Sequence, residues 1–227
     1  MGIDNFYLRE MKCVMDKHLP QGGHVVCLGY PDLLVADSDI RDLWGDDILK
    51  DLPVDAAQRQ IQSWHKFQGT VYDSIELLTR LNFRVTVLDK IPHRGNEIEV
   101  DLNGPLPWDL VGVADLVIDT GTLEHCFNVG TAFRNMCELV AMDGVVMTAA
   151  PANKLGHGYY NFCNNLYHDG FRVNGFEVVS LKLLDSRLRD IPIPTKKEGP
   201  PPRSIWMCVA QRRKIQAWQW PVQGAYV

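Results

Sequence analysis

Glu124 and His125 stand side by side in the stretch ADLVIDTGTLEHCFNVGTAFRNM, just past an apolar run that ends in Asp119. A carboxylate next to an imidazole is a pair able to move protons near neutral pH. Another histidine, His157, lies between Gly156 and Gly158 in PANKLGHGYYNF, where small neighbours allow a substrate to approach closely. Asp119, Glu124, His125 and His157 are all metal-ligating types, but no ligand spacing compels a metal site, and none is expected.

The elements that must position these groups are legible as short apolar runs. HVVCLG (24–29), RVTVLD (84–89), EIEVDL (97–102), ADLVID (114–119) and GVVMTAA (144–150) are β-branched and bounded by Gly, Pro, Asn or Asp. Most lack polar alternation, as strands covered on both faces do. Helical patterns lie between some of them: QGTVYDSIELLTRL (68–81) puts Val71, Ile75, Leu78 and Leu81 on one face, and 129–142 does likewise with Phe133, Met136 and Val140. Strands alternating with helices imply an α/β fold with a mostly parallel sheet. The end of the chain differs. FEVVSLKLL (176–184) and SIWMCVA (204–210) are strands separated only by a proline-rich, charged loop, so a late antiparallel hairpin is expected.

In an open parallel sheet the ligand sits outside the carboxyl ends of the strands. The first four runs end there in Gly29, Asp89, Asp101 and Asp119. An acid after the second strand has a known use, accepting hydrogen bonds from the ribose hydroxyls of an adenosine cofactor. Each acid alone reads equally as a turn residue or helix cap; the set points to a cofactor.

Bulk properties narrow the partners. A formal net charge of -5 and dispersed basic residues disfavour nucleic acid, which demands a basic face. No apolar run approaches the ~20 residues that span a bilayer, and the charged start MGIDNFYLREMK is no signal peptide. A soluble, cytoplasmic protein without a membrane partner is expected. The six cysteines form no CxxC pair and read as free thiols.

The chain resembles class I S-adenosylmethionine-dependent methyltransferases over roughly residues 22–212, on the elements VTVLD, EVDLNGPLP, DLVIDTGTLEHCFNVGTAFRNM, DGVVMTAAPAN and HGYYNFCNNLYHDGFRVNGFEVV, in that order. It is most similar to small-molecule and sugar-type members carrying a G-T-L-E-H element. The resemblance implies one Rossmann-like domain over 1–227, with about seven strands and a C-terminal antiparallel hairpin. It includes an N-terminal helix (1–21), a helical insertion or lid (31–66) and a tail (213–227). S-adenosylmethionine is the implied cofactor. Gly29 and Tyr30 then occupy its first turn, Asp89 with Lys90 the ribose, Asp101 and Leu102 the adenine, and Asp119, Thr120 and Gly121 the methionine end. Glu124 and His125 would stand where the methyl group leaves, with His157 approaching from the next loop. Either histidine is then the base for a small polar acceptor, Glu124 orienting it, and His157 is preferred.

The first motif departs from that pattern. VVCLGYPDLL has a single glycine before Tyr30 and Pro31, and Cys27 replaces the usual acid. Three consequences stay open: a cofactor held differently, with Asp32 or the insertion taking part; weak binding; or a chain that keeps the fold for a binding or structural role. The insertion itself reads equally as surface elaboration. The oligomeric state and the acceptor's identity are not legible.

Overall fold

The computed structural model describes residues 2–194 and 198–223; the last four residues of the expected tail lie outside them. The chain divides into two compact units, Met1–Val100 and Asp101–Val227.

The first unit begins with β1 (Gly2–Ile3) and α1 (Asn5–His18), followed by β2 (Gly23–Leu28) and β3 (Asp32–Leu33). Asp4 caps α1 by accepting the Tyr7 amide at 3.1 Å. After β3 come α2 (Asp37–Trp44), a 3-10 turn (Asp46–Leu49) and α3 (Gln58–His65). Their anchors Ile40 and Ile61 are completely buried, each worth about 1.5–3 kcal/mol of apolar burial. α4 (Ser74–Arg80), β4 (Phe83–Asp89) and β5 (Ile98–Glu99) complete the unit. β2, β4 and β5 pair in parallel, and β1 pairs in parallel with β3. Val25, Val26, Cys27 and Leu28 are sealed from solvent, which accounts for the unbroken apolar run.

The expected helix over 68–81 forms only from Ser74. Asp73 caps it there, accepting the amides of Ile75 and Glu76 at 2.9 and 3.0 Å, while Tyr72 bridges Val54 in extended conformation. The third run is also shorter than its sequence suggests. Pairing stops at Glu99, and Asp101 turns the chain by accepting the Asn103 amide at 3.0 Å.

The second unit holds β6 (Ala114–Thr120), a 3-10 turn (Leu123–His125), α5 (Val129–Leu139) and β7 (Val140–Asn153). There follow α6 (Asn164–Arg172), β8 (Phe176–Leu184), β9 (Asp190–Ile191) and β10 (Ser204–Arg212). Strand order within the unit is β6-β7-β10-β8-β9. β6 and β7 are parallel; β10, last in sequence, runs antiparallel between β7 and β8. The expected late hairpin is present, and β9 adds an antiparallel edge within what the sequence suggested was only loop. β7 starts at β-branched Val140, so α5 stops at Leu139 rather than Met142. Buried Arg212 closes that helix end, donating to the carbonyls of Cys137 and Val140 at 3.3 and 2.6 Å.

Candidate functional site

In the second unit the site is built from the end of β6. Asp119 is wholly buried, and both carboxylate oxygens are used: Oδ1 accepts the Thr122 amide and Oδ2 the Thr148 hydroxyl, each at 2.8 Å. Thr148 lies opposite Asp119 in the β6–β7 register, so the strand pairing aims the hydroxyl. Asp119 therefore fixes the turn that follows it. Burial raises its pKa to about 6, against the hydrogen bonds from Thr148 and Thr122. Gly121, at φ 109°, makes the sharp exit from the strand.

That turn directs Glu124 inward and leaves His125 half in solvent. Glu124 Oε1 lies 3.3 Å from His157 Nε2 and 4.0 Å from His125 Nε2, and the two imidazole rings are 5.1 Å apart, edge to face. Burial, then the nearby Asp119 charge, pushes Glu124 up to about 8. Burial also lowers both histidines, with Lys154 adding to the effect. At neutral pH the cluster holds uncharged imidazoles beside a carboxyl that keeps its proton.

The loop carrying His157 is fastened to the turn carrying Glu124. The Tyr159 amide donates to the Glu124 carbonyl at 2.7 Å, and the Tyr160 hydroxyl to the Phe127 carbonyl at 2.7 Å. Phe127 and Tyr159 meet edge to face at 5.6 Å and remain largely exposed, an apolar wall in this loop pair. On another side, Asn128 donates its amide to Asn103 Oδ1 at 2.8 Å, and Asn135 Nδ2 donates to the Leu102 and Gly104 carbonyls at 3.0 and 2.8 Å. Asp101 and Leu102 are thereby tied to the loop that leaves the Glu124 turn. Thr148, Asn103, Asn128 and Asn135 carry this framework. Sequence reading overlooked all four, and only the DLNG turn signal at 101–104 hinted at any of them.

In the first unit the parallel register sets Leu28 opposite Leu88, so Gly29 with Tyr30 and Asp89 with Lys90 emerge at one rim. Asp89 is half-buried; its Oδ1 accepts the Ile91 amide at 3.2 Å, and Oδ2 has no hydrogen-bond partner among the described residues. A carboxylate oxygen at that position suits vicinal hydroxyls. The turn after β2 is different. Tyr30 is buried with the Arg94 guanidinium 3.6 Å over its ring, and Arg94 donates to Asp32 at 2.5 Å. His65 Nε2, from the helical insertion, lies 3.3 Å from the other Asp32 oxygen, and Asp55 Oδ1 is 3.5 Å from Arg94 Nε. This turn is filled by the chain's own aromatic ring and ion pair.

No protein-family model and no curated protein matches the chain. Among solved structures it is similar to the 1,6-didemethyltoxoflavin-N1-methyltransferase of Burkholderia thailandensis with bound S-adenosylhomocysteine. That match has 13% identity, covers 91% of this chain and 78% of the other, and has a TM-score of 0.49. The N-methyltransferase NodS of Bradyrhizobium japonicum, in complex with S-adenosylhomocysteine, is 11% identical over 92% of this chain and 88% of its own, with a TM-score of 0.46. The protein solved in complex with the Haloferax volcanii methyltransferase activator Trm112 is 13% identical over 91% of this chain and 95% of its own, with a TM-score of 0.45. Among the described residues, no helix is long and apolar enough to cross a membrane.

Proposed function

We propose that this chain is an S-adenosylmethionine-dependent methyltransferase acting on O or N of a small polar acceptor, a sugar or glycan precursor foremost. The observation that carries the reading is β10, the last strand, inserted antiparallel between β7 and β8. That is the ending expected from the family the sequence resembles.

When bound, S-adenosylmethionine supplies a methyl carbon activated by its sulfonium. Asp89 and Lys90 are assigned to the ribose hydroxyls, and Asp89 Oδ2, without a hydrogen-bond partner among the described residues, supports this. Asp101 and Leu102 are assigned to the adenine, and Thr120 and Gly121 to the methionine end on the turn that Asp119 holds. Gly29 and Tyr30 remain at the first turn, where Asp32 and the insertion's His65 join them.

The Glu124–His125–His157 cluster is assigned the acceptor's proton, with His157 foremost. Its Nε2 is the closer of the two to Glu124, and Gly156 has open space beside it, whereas Gly158, expected to do the same, is packed against Glu124. Phe127 and Tyr159 give an apolar wall suited to the face of a ring. Alignment at about 3–3.5 Å and removal of one proton are what such a transfer asks of a protein.

A second reading is favoured by the filled turn at Tyr30, Asp32 and Arg94: a chain that keeps the fold for a binding role. Incubation with donor tritiated in its methyl group, a panel of small hydroxyl and amine acceptors, and RNA and DNA in parallel separates the two. Label in a small acceptor supports the enzyme. Label in none, from a folded protein, favours the binding role, and label only in nucleic acid would reverse the acceptor class.

A further inference from the structure

Glu124, His125 and His157 present one carboxylate oxygen and two imidazole nitrogens that all lie within 4.8 Å of one another. Glu124 is 1% exposed, and its Oε2 has no hydrogen-bond partner among the described residues. A buried carboxyl oxygen without a partner is costly, and a cation supplies one by taking the place of the proton the group otherwise keeps.

The distances fit an ion. Ligand atoms about 2.0–2.2 Å from a tetrahedral centre stand roughly 3.3 Å from one another. Glu124 Oε1 and His157 Nε2 are already at 3.3 Å. His125 Nε2, at 4.0 Å from that oxygen, must close on it by less than about 1 Å, and its ring is half in solvent. The backbone beneath is held rigidly, since a Cβ on Gly158 would stand 2.7 Å from Glu124 Cγ. Two imidazoles with one carboxylate select a borderline transition cation over calcium or magnesium, which prefer all-oxygen shells. Lys154 is the charge that opposes a cation here, and Asp119 the one that favours it.

We propose that Glu124, His125 and His157 hold a divalent transition cation of the zinc–manganese class, whose open positions take an oxygen of the acceptor. Ion binding stands on this geometry alone; the ion's role in transfer rests on the methyltransferase reading. A hydroxyl bound there gives its proton to water. The O–C bond then forms as the donor's S–C bond breaks, leaving a neutral thioether. In that case the imidazoles are ligands, and the turnover lost on removing His157 is lost with the ion.

The test is titration of the full chain, stripped with chelator, with Co²⁺ while following visible absorption. One equivalent should bind, with Zn²⁺ displacing it. Glu124→Gln and His157→Ala should each weaken uptake about 100-fold or more, beyond the 10–100-fold typical of residues that only support a ligand. His168→Ala, on α6 and outside the cluster, should leave it unchanged. No saturable uptake by the folded chain, or equal uptake in the Glu124→Gln and His157→Ala variants, overturns the proposal. S-adenosylmethionine titrated into the same samples keeps the two readings apart. Cation uptake without cofactor binding removes the methyltransferase and leaves the ion site; cofactor binding without uptake removes the ion site alone.

Discussion

The Tyr159 amide donates to the Glu124 carbonyl at 2.7 Å, so the loop that carries His157 is bolted to the residue His157 faces. Two elements that leave different strands thus meet at a fixed spacing. The cluster's geometry is a property of the backbone rather than of side-chain choice alone.

Gly158 is the position where that bolt is most exposed to test. It sits at φ 72°, and an added Cβ would meet the Glu124 carbonyl oxygen at 2.8 Å. Gly158→Ala is expected to cost about 1–3 kcal/mol in stability through backbone strain and overpacking. Denaturant unfolding measures it. An unchanged midpoint would mean the loop is not packed against Glu124.

The histidines separate proton handling from positioning. His157→Ala should lower kcat roughly 10²–10⁴-fold while cofactor affinity stays nearly intact. If the cluster handles the proton without an ion, His125→Ala should mainly raise KM, with a smaller loss of turnover; large losses of turnover in both variants would mark the two imidazoles as ligands of one ion. The reverse pattern would transfer the role to His125, and small equal effects would mean the acceptor needs alignment only.

Asp119 links stability to pH. Its folded pKa of about 6 lies above the ordinary 3.8, so between those values the folded state holds a proton that the unfolded chain has lost. Its contribution is fully present below about pH 3.8 and is lost as pH rises through about 6. The loss is on the order of 3 kcal/mol. Unfolding free energies of chelator-treated protein, measured from pH 4 to 7, should fall less steeply in Asp119→Asn. Equal slopes would contradict the assignment.

Arg94 lies with Asp32 and Asp55 in a largely buried cluster. Removing the cation leaves two buried acids facing each other, the situation that costs about 3–5 kcal/mol. Arg94→Met should therefore destabilise the protein by about 3 kcal/mol in denaturant unfolding. A change below about 1 kcal/mol would place the cluster among weak surface pairs.

How much of this the sequence discloses depends on how local each cause is. The runs at 24–29, 84–89, 114–119 and 144–150 read correctly because strands sealed on both faces leave no polar positions. Asp89 was legible as a strand-end acid, since one register places it beside Gly29. The helix over 68–81 failed because Asp73 caps it late and Tyr72 bridges Val54, a pairing no period records. Arg94 with Asp32, and His157 with Glu124, were illegible as partners. Each pair is far apart in sequence and is joined only by the folded loops.

The central claim is that the strand ends hold S-adenosylmethionine, and calorimetric titration of the full chain with that cofactor tests it most directly. Saturable one-to-one binding is expected. Asp89→Ala should weaken it by about 1.5–3 kcal/mol, the value of a hydrogen bond to a charged group. A folded protein that takes up no cofactor, or one whose affinity is unchanged by Asp89→Ala, would contradict the account.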